Sequence, residues 1–234
     1  MDWTHRRGFV TRLLGTTAAL GLVFRASPAT AQEGASDDWM GQVKGSHRAV
    51  FDFPRHNNGF GLLHVFNFLN TYREAYKAAP GEAGAMGTFY GIGPGSSIAL
   101  AFDDAAWAKY KLGEYHGLKD AAGQFYTRNP FRRPTKEDAH LLAQWIQAPS
   151  TPPALAEIMP AIGIESLQKM NTTFLLCNNA FGAWTLELEA RGKGAAADLQ
   201  KDLPGHMLPG VIAVPAMVIA IDRAQKAGFT YNRQ

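Results

Sequence analysis

The residue with the most reactive side chain in this sequence is its single cysteine. Cys177 stands in the stretch TTFLLCNNAF, residues 172–181, where an apolar run meets two asparagines. A short apolar run followed by a helical pattern predicts a strand that delivers the sulfur to a helix N-terminus. Such a terminus stabilises a thiolate, and Asn178 and Asn179 add amide donors for an anion. The pattern therefore indicates a nucleophilic thiol at an accessible mouth of the sheet.

The alternative is that Cys177 only fills space in the core. Cysteine is among the most buried residue types. A chain with one cysteine forms no internal disulfide, so the thiol is buried, reactive or intermolecular. Two hypotheses follow. In one, Cys177 is catalytic or binds a ligand; in the other, it is inert in a non-catalytic binding or assembly module.

A glycine-rich loop is the second candidate site. The stretch GIGPGS, residues 91–96, follows an apolar run, and its backbone amides can cradle an anion. Its spacing does not match the dinucleotide fingerprint, and Pro94 has no N–H to donate. A tight turn between a strand and a helix is the alternative. The residues expected to line a pocket here are Gly91, Gly93, Gly95 and Ser96.

The remaining candidate site residues do not belong to a recognised motif. Asp52, near the end of the first predicted strand, is a candidate pocket carboxylate, or else it caps the turn at Asn57-Asn58. His56 is a possible proton donor or metal ligand. His206-Met207 together with Cys177 would suit a soft metal, but no C-x-x-C or H-x-x-x-H spacing supports one. We therefore predict no metal site and no cofactor.

The elements that must position these residues alternate along the chain. Apolar strand patterns are separated by helical ones, which is typical of a parallel sheet covered on both faces. Residues 113–153 are proline-rich and less regular, and we interpret them as an insertion that forms a flap or an oligomer contact. The predicted strands are HRAVFDF, AMGTFYGIG, TTFLLC and GVIAVP.

The N-terminus has the layout of an export signal. Arg6-Arg7 precedes Phe9, an apolar run extends from Leu13 to Phe24, and an A-x-A cleavage site ends at residue 31. This pattern is typical of a twin-arginine signal peptide over 1–31, and the polar residues 32–46 are expected to form a flexible leader. We predict a periplasmic protein with no stable membrane insertion after the signal is removed.

The charge excludes one class of partner. Residues 1–31 hold four arginines and one aspartate, so their removal takes the formal charge from +3 to zero. A neutral chain has no electrostatic basis for binding nucleic acid.

The C-terminal half resembles the DsrE/DsrF-like group of sulfur-relay-type proteins. The resemblance is carried by FLLCNNAF and by LPGVIAVPAMVIAIDRAQKAGFTY, and more loosely by the first strand–helix pair and TFYGIGPGSSIAL. It covers residues 47–234 apart from the insertion. It implies a three-layer α/β/α sandwich on a mostly parallel sheet of about five strands. It also implies homo-oligomers, and a small sulfur-containing ligand or a partner protein that exchanges sulfane sulfur at Cys177.

Overall fold

A five-stranded parallel sheet forms the centre of the protein. The computed structural model describes residues 38–234, so the predicted signal peptide 1–31 lies outside the described residues. The strand order is β4-β3-β2-β1-β5, and every neighbouring pair is parallel. The strands are β1 His47–Asp52, β2 Ala83–Phe89, β3 Thr172–Cys177, β4 Val211–Val214 and β5 Thr230–Arg233.

Nine α-helices connect the strands within the described residues. The two longest, α1 and α7, follow β1 and β3. The helices are α1 Phe60–Glu74, α2 Asp104–Lys109, α3 Leu112–His116, α4 Ala139–Trp145, α5 Pro153–Ile158, α6 Ile164–Lys169, α7 Asn178–Ala190, α8 Ala196–Asp202 and α9 Met217–Lys226. Short 3-10 turns lie at Asp38–Gln42, Asn57–Gly59, Ile98–Ala101, Lys136–Asp138, Met159–Ile162 and Leu203–His206.

Apolar side chains project from both faces of the sheet and pack against helices, which gives three layers. On the first face, the Phe89 and Phe174 rings stack 4.9 Å apart beneath Leu62 of α1 and Trp184 of α7. Gly87 makes room for them, because a Cβ there would lie 2.5 Å from the Phe174 ring. On the second face, Val50, Met86, Leu175 and Cys177 pack beneath α9. The predicted α/β sandwich is confirmed.

The edge strand β5 has no apolar signature. Its four residues, TYNR, are all exposed, and it pairs only with β1. An edge strand is held by backbone hydrogen bonds and a few side-chain contacts, so its sequence needs no apolar run. None of the strands named from the sequence covers it.

The expectation of a flexible leader over residues 32–46 is wrong from residue 38. Asp38–Gln42 forms a 3-10 turn, and the side chains of Trp39 and Val43 are buried in the second-face cluster. A buried tryptophan removes a large apolar area from water, which offsets the polar composition around it.

Residues 113–153 contribute buried side chains to the core and do not form a flap. Tyr115, Phe131 and Leu141 are buried in the first-face cluster. Buried Asn129 donates to the carbonyls of Leu100 and Phe102 at 3.1 and 2.8 Å. These bonds let an irregular, polar segment pack inside, because its buried polar groups have partners. No described helix is long and apolar enough to cross a membrane.

Candidate functional site

Cys177 ends β3 and is the N-cap residue of α7. Its Sγ accepts hydrogen bonds from the backbone N–H groups of Ala180, at 3.4 Å, and of Met217, at 3.3 Å. Because Met217 is the first residue of α9, one sulfur meets the N-termini of two helices. The side chain is only 5% exposed. This burial contradicts the expected accessible position, and it arises because α9 covers the second face of the sheet.

The two asparagines after the cysteine lie on the solvent side. Asn178 and Asn179 are exposed in the first turn of α7. The backbone N–H of Asn179 donates to the Pro215 carbonyl at 3.3 Å, which ties α7 to the end of β4. The donors to Sγ are therefore backbone groups, whereas the predicted donors were these two side chains.

Asp52 is buried, and hydroxyl groups surround its carboxylate. Its Oδ1 accepts from Thr88 at 3.1 Å, and its Oδ2 accepts from Tyr231 of β5 at 2.7 Å. Tyr90 also hydrogen-bonds to it, and burial together with this bond raises the pKa of Tyr90. The bond to Asp52, followed by burial, raises the pKa of Tyr231. Asp52 therefore anchors the C-terminal strand.

The turn that Asp52 was expected to cap has another acceptor. The backbone N–H of Asn58 donates to Nδ1 of His56 at 3.0 Å. The capping alternative for Asp52 is thus wrong, and His56 takes that role.

The glycine loop packs against the segment that follows β1, where Arg55 pairs with Ser96 in an isolated antiparallel bridge. Gly91, Gly93 and Gly95 have φ values of 92°, 90° and 87°, a region that favours glycine. The N–H of Gly93 donates to Oε2 of Glu187 at 2.6 Å, and that of Gly95 donates to Nδ1 of His116 at 3.1 Å. These two amides already have acceptors inside the protein, so they do not form the open anion cradle that the sequence suggested.

Ser96 lies beside a pair of buried histidines. The rings of His56 and His116 are 5.3 Å apart and nearly perpendicular. Each histidine is 8% exposed, and Ser96 is 2% exposed. The three side-chain atoms Ser96 Oγ, His56 Nε2 and His116 Nε2 are buried without a hydrogen-bond partner. We call His56, Ser96 and His116 the histidine–serine cluster.

Burial keeps both imidazoles neutral. Burial, with a smaller contribution from the positive charge of Arg55, lowers the pKa of His56 from 6.5 to about 4. Burial, followed by the neighbouring His56, lowers the pKa of His116 well below 6.5. The apolar walls are aromatic, since Phe131 lies 5.6 Å from the His56 ring and Trp107 lies 6.0 Å from the His116 ring.

The tautomer of each histidine follows from its backbone partner. Nδ1 accepts a backbone N–H in both rings, so the ring hydrogen of each neutral imidazole lies on Nε2. Neither Nε2 has a free lone pair, so neither ring acts as a base toward Ser96 or as a metal ligand through that atom. Among residues 38–234, no group of three or more His, Cys, Asp and Glu side chains is placed to hold a metal ion.

The predicted site residues separate into two groups at the carboxyl edge of the sheet. Asp52 and Cys177 lie toward the second face, whereas Ser96 and the glycine loop meet the histidines near the first-face core. The sequence analysis gave no site role to His116, Tyr90 or Tyr231. Tyr231 ends the stretch that carries the family resemblance, and no motif marks the other two. Comparison of the chain with protein-family models, curated proteins and solved structures found no match.

Proposed function

We propose that this chain is an exported, non-catalytic ligand-binding module of the DsrE-like kind, in which Cys177 is a structural thiol. One observation carries the proposal. Cys177 is only 5% exposed, and its sulfur accepts hydrogen bonds from two backbone N–H groups, at 3.4 and 3.3 Å. A sulfur in this setting holds two helix N-termini against the sheet, as an N-cap residue does.

Burial of the thiol argues against a sulfur carrier. A carrier sulfur must be reached by its donor, and a persulfide needs space for one further sulfur atom. Around Cys177 that space is filled by apolar side chains of the second-face cluster, among them Val214 and Met217. Reaction at Sγ would therefore require α9 to move away.

The carboxyl edge of the sheet supports the binding role. Parallel α/β sheets bind ligands in the crevice outside the carboxyl ends of their strands. At this edge the protein places a glycine loop, a buried serine and two neutral histidines whose Nε2 atoms have no partner. Unpaired buried polar groups are rare in proteins and call for a partner.

Sulfur handling is the second candidate, and the same two N–H donors favour it. Helix N-termini stabilise negative charge, and both a thiolate and a persulfide are anions. In that reaction the Cys177 thiolate attacks the sulfane sulfur of a persulfide donor. A new S–S bond forms on Cys177, the donor's S–S bond breaks, and the donor leaves as a thiolate.

One experiment separates the two candidates. The native chain is incubated with a small-molecule persulfide donor, and intact-mass spectrometry then measures any addition of one sulfur atom. The module proposal expects no addition to the native protein and addition after denaturation. Native addition that is lost in Cys177→Ser would overturn it in favour of the relay.

Export and self-association are part of the same proposal. Export rests on Arg6-Arg7 and the cleavage pattern, and self-association rests on the family resemblance. Changing Arg6 and Arg7 together to lysine is expected to keep the precursor in the cytoplasm on cell fractionation. Normal export of that double variant would contradict a twin-arginine route.

A further inference from the structure

The histidine–serine cluster is assembled around one short stretch of backbone. The Gly95 carbonyl accepts from the backbone N–H of His56 at 2.9 Å, and the Gly95 N–H donates to His116 Nδ1 at 3.1 Å. Ser96 is the next residue in the chain. The fold therefore brings these three buried side chains together from three separate segments, and each carries one polar atom without a hydrogen-bond partner. A buried polar group without a partner is costly, so three in one place indicate a site that a ligand completes.

The chemistry of the three atoms defines the ligand. Both Nε2 atoms carry the ring hydrogen, because the Nδ1 atoms already accept backbone N–H groups. The Ser96 hydroxyl can also donate. The cluster thus offers two N–H donors in fixed positions and one rotatable O–H donor. Its ligand must be a hydrogen-bond acceptor, and a metal cation is excluded because no bare nitrogen faces it.

A positive charge beside the glycine loop favours an anion over a neutral acceptor. Arg55 lies beside the loop: its guanidinium donates to the Pro94 carbonyl at 3.4 Å and packs against Gly95, where an added Cβ would lie 2.6 Å from a guanidinium nitrogen. Arg55 is exposed, whereas the cluster next to it is buried. A cation at the rim offsets part of the desolvation cost of an anion bound inside.

We propose that His56, Ser96 and His116, with Arg55 at the rim, form a binding site for a small oxyanion. The proposal rests on the function proposed above and names the ligand class of that binding module. The oxyanion has few atoms, because the protein already buries all three donors. It accepts hydrogen bonds from neutral imidazoles, so its binding does not require protonated histidine.

The test is calorimetric titration of the full chain with sodium sulfate at pH 7, with sodium chloride holding the ionic strength constant. Sulfate is a dianion at pH 7. We expect saturable binding to the wild type, weakened about ten-fold or more in Ser96→Ala. His116→Asn should weaken it similarly, because the asparagine oxygen replaces Nδ1 as the acceptor for Gly95 while the Nε2 donor is lost. His64→Gln, which alters an exposed histidine, is the matched control and should bind as the wild type does.

Two results would overturn the proposal. One is the absence of saturable sulfate binding to the wild type, which would leave the cluster as a site for internal water only. The other is equal binding by the wild type and Ser96→Ala, a variant that keeps every hydrogen bond described here. Neither result touches the persulfide experiment on Cys177, so failure of the oxyanion site and failure of the structural role of Cys177 are read separately.

Discussion

The Sγ of Cys177 lies 3.3 Å from the backbone nitrogen of Met217, the first residue of α9. The same sulfur accepts the N–H of Ala180 in the first turn of α7. A single side chain therefore joins the helix that follows β3 to the helix that covers the second face. These two hydrogen bonds let the thiol hold the two helices together without reacting.

The first prediction concerns that role. Cys177→Ala removes the acceptor of both N–H groups and should lower the free energy of unfolding by roughly 1–2 kcal/mol, the typical cost of losing an N-cap. Cys177→Ser keeps an acceptor oxygen and should cost less. Urea denaturation of both variants is the measurement. Equal stability of the alanine and serine variants would contradict a capping role.

The second prediction concerns acid stability. Between pH 6.5 and 4 the unfolded chain binds a proton at His56 that the folded protein does not, because the folded pKa is about 4. The free energy of unfolding should therefore fall as the pH falls through this window, by about 3 kcal/mol for His56 alone. The positive charge of Arg55 contributes to the lowered pKa of His56. His116 adds to the same loss of stability in acid, because burial, followed by the neighbouring His56, lowers its pKa as well.

The measurement for the second prediction is urea denaturation at several pH values for matched variants. His56→Asn keeps an acceptor for Asn58 but cannot be protonated, so it should show a shallower loss of stability than the wild type. His64→Gln should retain the wild-type slope. An identical pH dependence in His56→Asn and the wild type would contradict the assignment.

The third prediction concerns the C-terminal strand. Tyr231→Phe removes the hydroxyl that donates to buried Asp52 and leaves one carboxylate oxygen without that donor. The strand β5 should open more readily, at a cost of roughly 1–3 kcal/mol, and its amides should exchange faster with deuterium. Tyr76→Phe is the control, because Tyr76 is 73% exposed. Unchanged exchange in β5 would show that Asp52 does not anchor it.

The fourth prediction concerns the N-terminal boundary of the domain. Trp39→Ala should lower the free energy of unfolding by about 3 kcal/mol, because it leaves a cavity in the second-face cluster. Trp145→Ala should cost well under half as much, since Trp145 is 48% exposed. Similar losses of stability in the two variants would contradict the assignment of Trp39 to the folded domain.

Much of the sheet was predictable, because four strands are apolar: β2 and β3 are buried along their whole length, and β1 and β4 are buried in part. In parallel sheets covered on both faces, burial imposes a continuous apolar run that the sequence displays. The strand β5 escapes this rule, since all four of its residues are exposed at the edge. Its position depends on pairing with β1 and on the Tyr231–Asp52 bond, which no local pattern reveals.

The position of Cys177 in the fold was predictable from the sequence, but its burial was not. The apolar run and the helical pattern after it located Cys177 at the end of a strand and the start of a helix. Its burial depends on α9, which is forty residues away at the Met217 contact. His56 and His116 meet only in the folded chain, and His116 belongs to the proline-rich segment 113–153 that the sequence suggested was a flap.

The most direct test of the central claim is the alkylation rate of Cys177 by iodoacetamide across a urea titration. A structural thiol reacts only when the domain opens, so the rate should rise in parallel with unfolding, and the native rate should be about a thousand-fold or more below that of the denatured chain. A native rate within about ten-fold of the denatured rate would contradict the claim and favour the sulfur relay.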